Sequence, residues 1–387
     1  MTHPWLSFGF DIADFGPQEW VSFGRAQAGC AHLTGTPLHP GIAEQLHRIY
    51  LSKGAHATTA IEGNTLTEEE VLRMLDSPLD LPPSRRYLEQ EVRNVLDAFR
   101  SINESIQTSE DLTLTPATIC GYNALVLRDV GSDSEIRPGR IRTSEILVGL
   151  YRGPRADDCH HLLERLCDWL LCSDFEIGKD DPLALARGLT RALLAHLYIA
   201  WIHPFADGNG RTARLVEYHL LASTGLVPTP AGHILSNHYN QTRSRYYRVL
   251  DRSSRTQTWS PVGFISYALG GFVDGLEEQL VWIKAQHHWL AWRDYVDEVM
   301  RPYGTTAGRR QRDLVLALGA SGPKPRSEIR FLTPQLAAAY AGKTSKTITR
   351  DTNRLVALGL IERTPQGIHP LIGRLEAFMA GTGNPIS

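Results

Sequence analysis

Apolar residues recur at helical spacing along most of the chain. Leu46, Ile49 and Tyr50 share one face of a helix starting near Ile42, which runs toward a Gly63-Asn64 stop. Thr67-Glu68-Glu69-Glu70 resembles a capping box opening a helix through Val71, Leu72 and Met74, and Pro78, Pro82 and Pro83 end it. Leu88, Val92, Val95, Leu96 and Phe99 predict a long helix over about Ser84–Asn103. Thr115-Pro116 starts another, with Ile119, Tyr122, Leu125 and Val126 on one face. A three-arginine turn follows at Arg137, Arg140 and Arg142. Ile146–Tyr151 is the best short β candidate, and the Arg152-Gly153-Pro154 after it predicts a small hairpin. Helices resume at His160–Leu171, Leu183–Ile202, Thr212–Ser223, Asn240–Leu250 and Ser260–Leu280.

Beyond about Leu280 the pattern changes scale. A connecting helix to Tyr303 leads into helices at Arg309–Leu318, from Thr333-Pro334, and at Ser345–Leu358. Gly359 ends the last of these, and Leu360–Ile368 reads as two short strands around a turn. Helix, helix, tight turn, helix and hairpin is the outline of a winged helix-turn-helix. The expected class is therefore mainly α, with a small β-hairpin flap. The expected division is an N-terminal helical region at 1–110, a helical core at 111–280, a linker helix at 281–304 and a winged helix at 305–387.

Charge separates the two ends. The formal net charge is only -2, yet residues 301–387 carry 13 Lys+Arg against 5 Asp+Glu. A basic end on an acidic body points to a polyanionic partner or to an ordinary solvated surface. Lys343, Lys346, Arg350 and Arg354 are spaced to meet a phosphate backbone, with Thr347 and Thr349 toward base edges. The five cysteines are odd in number and form no CxxC pair, which suggests neither a disulfide framework nor a zinc site. Leu183–Ile202 is the most apolar segment, but Arg187, Arg191 and His196 interrupt it, so it reads as a buried helix. A cytoplasmic protein without a membrane span is expected.

The chemistry concentrates in His203-Pro-Phe-Ala-Asp-Gly-Asn-Gly-Arg-Thr-Ala-Arg214. A helix leads in and another leads out. Backbone N–H groups of Gly208, Asn209 and Gly210 would then point at a helix N-terminus, where the dipole favours anions. The glycines allow close approach of phosphate. Arg211 and Arg214, three apart, emerge near the same helix start and can grip phosphate oxygens bidentately. Asp207 is a hard oxygen ligand suited to Mg²⁺, and His203 is an available base near neutral pH. The loop lacks the GK[ST] end of a Walker A motif.

This stretch resembles the signature of the Fic family, HxFx(D/E)GNGRxxR, at every defined position. Thr58-x-x-x-Glu62-Gly63 resembles that family's inhibitory motif, [S/T]xxxE[G/N], in the arrangement where it precedes the core on the same chain. Asn64–Val71, Glu91–Asn94, Gly139–Arg142 and Arg243–Leu250 are also similar to Fic segments, so the resemblance spans roughly residues 20–275. Asn123 is a departure, standing where many relatives carry a histidine.

The resemblance implies adenylyl transfer, in which AMP passes from ATP to a protein Ser, Thr or Tyr hydroxyl. His203 would take the hydroxyl proton and Asp207 would hold Mg²⁺. Gly208, Asn209, Gly210 and Arg211 would meet the α- and β-phosphates, and Arg214 the γ-phosphate. Tyr246 and Tyr247 would line the adenine site, and Ile146–Tyr151 would align the target strand. Glu62 would inhibit by occupying Arg214 in place of the γ-phosphate. Removal of AMP by the same site, self-modification, a homodimer, and a DNA or protein partner for the winged helix are consistent with the resemblance. The alternative is a DNA-binding transcriptional regulator carrying a Fic unit.

Overall fold

The computed structural model describes residues 3–108, 113–130, 136–149, 151–178, 180–254 and 259–375. The chain divides into two compact units, Met1–Leu280 and Val281–Ser387. The boundary expected at 110/111 lies outside the described residues, as does Leu150 of the expected strand.

The first unit is helical. It runs α1 Pro17–Gly35, α2 Pro40–Ala60, α3 Glu68–Met74, α4 Arg86–Gln107 and α5 Pro116–Val126. A two-stranded hairpin follows, β1 Leu147–Val148 and β2 Tyr151–Arg152. Then come α6 Cys159–Leu170, α7 Ala184–Ile202, α8 Asn209–Ser223, α9 Ile234–Gln241, α10 Arg243–Ser253 and α11 Val262–Met300. The expected β stretch at 146–151 is thus two strands folded about Gly149, which takes φ +60°. Its register pairs Leu147 with Arg152 and Val148 with Tyr151. The helix expected at 240–250 is split into α9 and α10 around Thr242.

Local chemistry explains the helix ends that matter for the site. Thr67 caps α3 with a full capping box, its hydroxyl accepting from Glu70 N while the Glu70 carboxylate accepts from Thr67 N. Gly63 follows α2 at φ +100°, a left-handed turn that a side chain disfavours, and the chain reverses there. α7 is buried around nearly its whole circumference, as expected of a central helix with no polar face. It packs beside α8, and together they carry the two sides of the His203–Arg214 loop. Leu51 and Ala55 of α2, Val92, Val95 and Phe99 of α4, and Leu215 and Tyr218 of α8 share one apolar core. Burial of that face holds α2 against the outgoing helix of the loop.

The second unit continues from α11 through α12 Thr306–Ser321, α13 Pro334–Tyr340, α14 Ser345–Ala357 and the antiparallel pair β3 Ile361–Thr364 and β4 Gly367–Pro370. α11 is one uninterrupted helix where two were expected. Trp292, Val296 and Met300 recur every fourth residue and are buried with Leu314, Leu318, Leu336 and Leu355. The segment expected as a linker therefore supplies core to this unit. Inside it Asp351, fully buried, accepts from Arg310 Nε at 2.8 Å, Gln311 Nε2 at 2.8 Å and Tyr340 Oη at 3.0 Å. The mainly helical class is borne out, with two small hairpins as the described β structure. No described helix is long and apolar enough to cross a membrane.

Candidate active site

α7 ends at His203, whose backbone is left-handed at φ 48°, ψ 58° and whose N–H caps Ile199 O at 2.9 Å. A non-glycine residue held there is strained, and such strain concentrates at functional sites. The turn presents the imidazole to the cavity while its Nδ1 lies 3.3 Å from Ala200 O. Burial pushes the His203 pKa below its ordinary 6.5, against the backbone contact to Ala200. The ring is thus neutral at neutral pH.

The loop is braced from inside. Asn209 Oδ1 accepts from Phe205 N at 2.9 Å and its Nδ2 donates to Phe205 O at 2.8 Å. Phe205 is buried and bridges to Ile141. Arg142, one of the three turn arginines, is the main outside brace. Its Nε donates to His203 O at 2.8 Å, NH1 to Ser144 O at 2.7 Å and NH2 to Pro154 O at 2.6 Å, while its N–H donates to Pro204 O at 2.9 Å. Asn123 is the second brace. Its amide donates to Asp207 O at 2.9 Å and its oxygen accepts from Gly139 N at 2.9 Å. The departure at Asn123 therefore sits at a loop anchor, a role that sequence reasoning did not assign.

α8 begins at Asn209, with Gly208 as a left-handed N-cap at φ 77°. The N–H groups of Asn209, Gly210 and Arg211 have no partner within the helix by geometry alone. The N–H of Gly208 donates to Asp207 Oδ1 at 2.6 Å, so the anion-facing donors begin one residue later than expected.

Glu62, at the end of α2, reaches this helix start. Its Oε1 accepts from Arg214 NH2 at 2.6 Å. A Cβ on Gly210 would collide with the same oxygen, so glycine is what lets the carboxylate approach. Arg214 is buried, and α2 supplies its other partners: Nε donates to Thr58 Oγ1 at 2.6 Å and NH2 to Thr58 O at 2.9 Å. Burial by itself would raise the Glu62 carboxyl, but the charge and hydrogen bond of Arg214, aided by Arg211 and Arg243, hold it below the usual carboxylate range. Burial would likewise lower the Arg214 guanidinium, and Glu62 outweighs it.

A cavity of about 480 Å³ opens over these groups, a size suited to a small ligand. Glu62, His203, Asp207, Gly208, Asn209, Gly210, Arg214, Tyr246 and Tyr247 all line it, together with Val148 and Gly149 of the hairpin. Arg211 is the one site candidate outside that lining. Its NH1 is 3.2 Å from Glu91 Oε1 and its NH2 3.3 Å from Asp207 Oδ2. Tyr246 is buried, its hydroxyl 2.9 Å from His196 Nε2, whose Nδ1 is 2.8 Å from Glu217 Oε2. That buried His196–Glu217 pair had no signal in the sequence, because its members stand 21 positions apart on different helices. Leu147 and Val148 of the hairpin are exposed beside the cavity.

The geometry defines a class: a buried-arginine anion pocket with a neutral imidazole at its mouth and an exposed hairpin edge. Residues 113–221 match the Fic/DOC family profile. It is 31% identical over 193 residues to the protein adenylyltransferase fic-1 of Caenorhabditis elegans, covering 50% of this chain and 34% of that protein. It is 29% identical over 198 residues to the protein adenylyltransferase Fic of Nematostella vectensis, covering 51% and 42%. The chain thus spans less than half the length of these relatives. Among solved structures, a Fic family protein from Desulfovibrio desulfuricans G20 aligns over 96% of this chain and 98% of its own at a TM-score of 0.54 and 21% identity. Fic-1 from C. elegans, residues 134–508, aligns over 69% and 73% at 0.57 and 22%.

Proposed function

We propose that the chain is a protein adenylyltransferase whose site is held closed by Glu62. In the reaction a protein hydroxyl oxygen bonds to the α-phosphorus of ATP. The bond from that phosphorus to the α–β bridging oxygen breaks, and pyrophosphate leaves. The hydroxyl proton passes to His203, whose Nδ1–H tautomer faces Ala200 O and leaves Nε2 as acceptor. The N-terminus of α8, Arg211 and Arg214 take the phosphates. Tyr246 and Tyr247 line the base end, and the exposed edge of β1 takes the target segment as an added strand.

Mg²⁺ fits Asp207. No group of three or more His, Cys, Asp or Glu suited to a metal occurs among the described residues, and Mg²⁺ bound with substrate phosphates uses only one or two carboxylates. The Asp207 side chain is 47% exposed and lines the cavity. When bound, the ion would neutralise phosphate charge.

One observation carries the reading: the Glu62 carboxylate rests on Arg214 inside a cavity that also holds His203. A γ-phosphate would need the same guanidinium. His203→Ala should lower transfer of label from α-labelled ATP to protein by about 10²–10⁴-fold, the usual worth of a general base, with nucleotide binding retained. Retained transfer would remove His203 as the base. Removal of AMP by the same site, with Glu62 orienting water, uses the same groups.

A second reading concerns the C-terminal unit, which we take as a winged helix with α14 as its recognition helix. Lys343, Lys346 and Arg350 are exposed along its start, which supports a polyanionic partner such as duplex DNA. The competing partners are a protein and a second copy of this chain. Thr349 is committed elsewhere, since its hydroxyl is held by Arg326 and bonds to Ser345 O. A salt-dependent gel shift of the full chain on duplex DNA, lost in Lys346→Glu, would support DNA; no shift at low salt would exclude it.

A further inference from the structure

Arg211 differs from Arg214 in what holds it. Arg214 is occupied by α2 directly. Arg211 is held from α4, by a residue that does not line the cavity. Glu91 divides its two oxygens: Oε1 takes Arg211 NH1 at 3.2 Å, and Oε2 takes the Asn64 amide at 2.8 Å. Asn64 stands two residues after Glu62. Its amide also donates to Leu88 O at 2.9 Å, its oxygen accepts from Leu66 N at 3.0 Å, and its own N–H donates to Thr59 O at 3.2 Å. These bonds fix the turn that ends α2 and thereby the reach of Glu62. At the other end, Arg211 NH2 lies 3.3 Å from Asp207 Oδ2, while Arg211 Nε is buried without a hydrogen-bond partner. The guanidinium therefore keeps its Nε–H unspent while two carboxylates set its plane.

Resting on the transferase reading, we infer that Glu91 is a positioning residue that couples the inhibitory turn to Arg211. One side chain does two jobs of opposite consequence. Through Asn64 it steadies the latch and so restrains the reaction. Through Arg211 it orients a phosphate-binding guanidinium and so supports the reaction. A carboxylate that sets the plane of a buried guanidinium preorganises it for a planar, bidentate grip on phosphate. Members of one such network are energetically coupled, so removing the shared carboxylate does not simply add the two effects.

The coupling predicts a change of sign between backgrounds. In the native chain, Glu91→Gln keeps shape but weakens both bonds. The turn after Glu62 loosens, and transfer of AMP from ATP to the protein should rise by roughly threefold or more. In the Glu62→Gly chain the latch is already gone. There Glu91→Gln should lower kcat/KM for ATP by roughly three- to tenfold, because only the support of Arg211 is lost. Asn64→Ala separates the arms: it should raise transfer in the native chain and leave Glu62→Gly unchanged. A merely structural Glu91 would lower activity in both backgrounds in step with thermal stability. The inference is overturned if Glu91→Gln moves both backgrounds in one direction, or neither. If Glu62→Gly alone transfers nothing from ATP, it is the transferase reading that fails instead.

Discussion

Two pairs of a buried arginine with a carboxylate in this chain look alike but differ in their surroundings. Arg310 and Asp351 form one, in the C-terminal unit; Arg214 and Glu62 form the other, in the helical unit. Around Asp351 both oxygens are spoken for by Arg310, Gln311 and Tyr340, and its side chain is wholly buried. Around Arg214 the guanidinium is buried but its partner is not: the Glu62 side chain is 32% exposed and lines a cavity. A pair sealed on every side can only hold a fold together. A pair with one member facing open space can be replaced, and a phosphate is the natural replacement for a carboxylate on a guanidinium fork. On the proposed reading, exposure of one partner, rather than bond length, separates a latch from a strut.

Substitutions can break that distinction. Asp351→Ala leaves Arg310 buried without a counter-charge and should cost about 3–5 kcal/mol of stability in the C-terminal unit, read by chemical denaturation. ATP should not restore it. Glu62→Gly should cost less, about 1.5–3 kcal/mol, the range for a hydrogen bond to a charged group. ATP should restore that loss, stabilising Glu62→Gly in a thermal-shift assay more than it stabilises the native chain. Equal ATP shifts in both chains would make the Glu62 pair a strut like the other. Thr58→Ala removes one neutral partner of Arg214 and should cost about 1 kcal/mol, with a small rise in transfer.

The smallest effects are those of pH. The Glu62 carboxyl is depressed, so its pairing is fully present above the ordinary carboxylate value of 4.5 and is lost only as pH falls through a lower value. The latch should hold at every pH from neutral down to that point. The His203 imidazole is also depressed, so the acid limb of the transfer rate should lie below 6.5, measured on Glu62→Gly to remove the latch. A limb above 6.5 would mean that the ring gains a proton more readily than its buried position allows.

What the sequence exposes about the site is whatever lies close together along it. His203, Asp207, the glycines and the two arginines fall within twelve positions, and Thr58 and Glu62 lie one helical turn apart, so they stand out as short motifs whose expected roles come from the resemblance to Fic segments. The residues that hold the loop in place are scattered. Arg142 reaches His203 across 61 positions, Asn123 reaches Asp207 across 84, and Glu91 reaches Arg211 across 120. No periodicity encodes such pairs; tertiary packing alone brings them together. The same limit shaped the fold reading. Helices with an apolar stripe were legible almost to their ends, because burial of a face leaves a 3.6-residue period. The hairpin was legible, but its turn lies at Gly149 rather than after Tyr151, because two-residue strands are too short to show alternation. α11 was divided in two because its apolar face changes partners along its length, while its backbone continues.

The account stands on Glu62 keeping Arg214 from ATP. Intact-mass measurement of the native chain and of Glu62→Gly after incubation with ATP and Mg²⁺ tests this most directly. The account predicts that Glu62→Gly gains the mass of one or more AMP groups while the native chain gains far less. Equal labelling of the two, or none in Glu62→Gly, would contradict it.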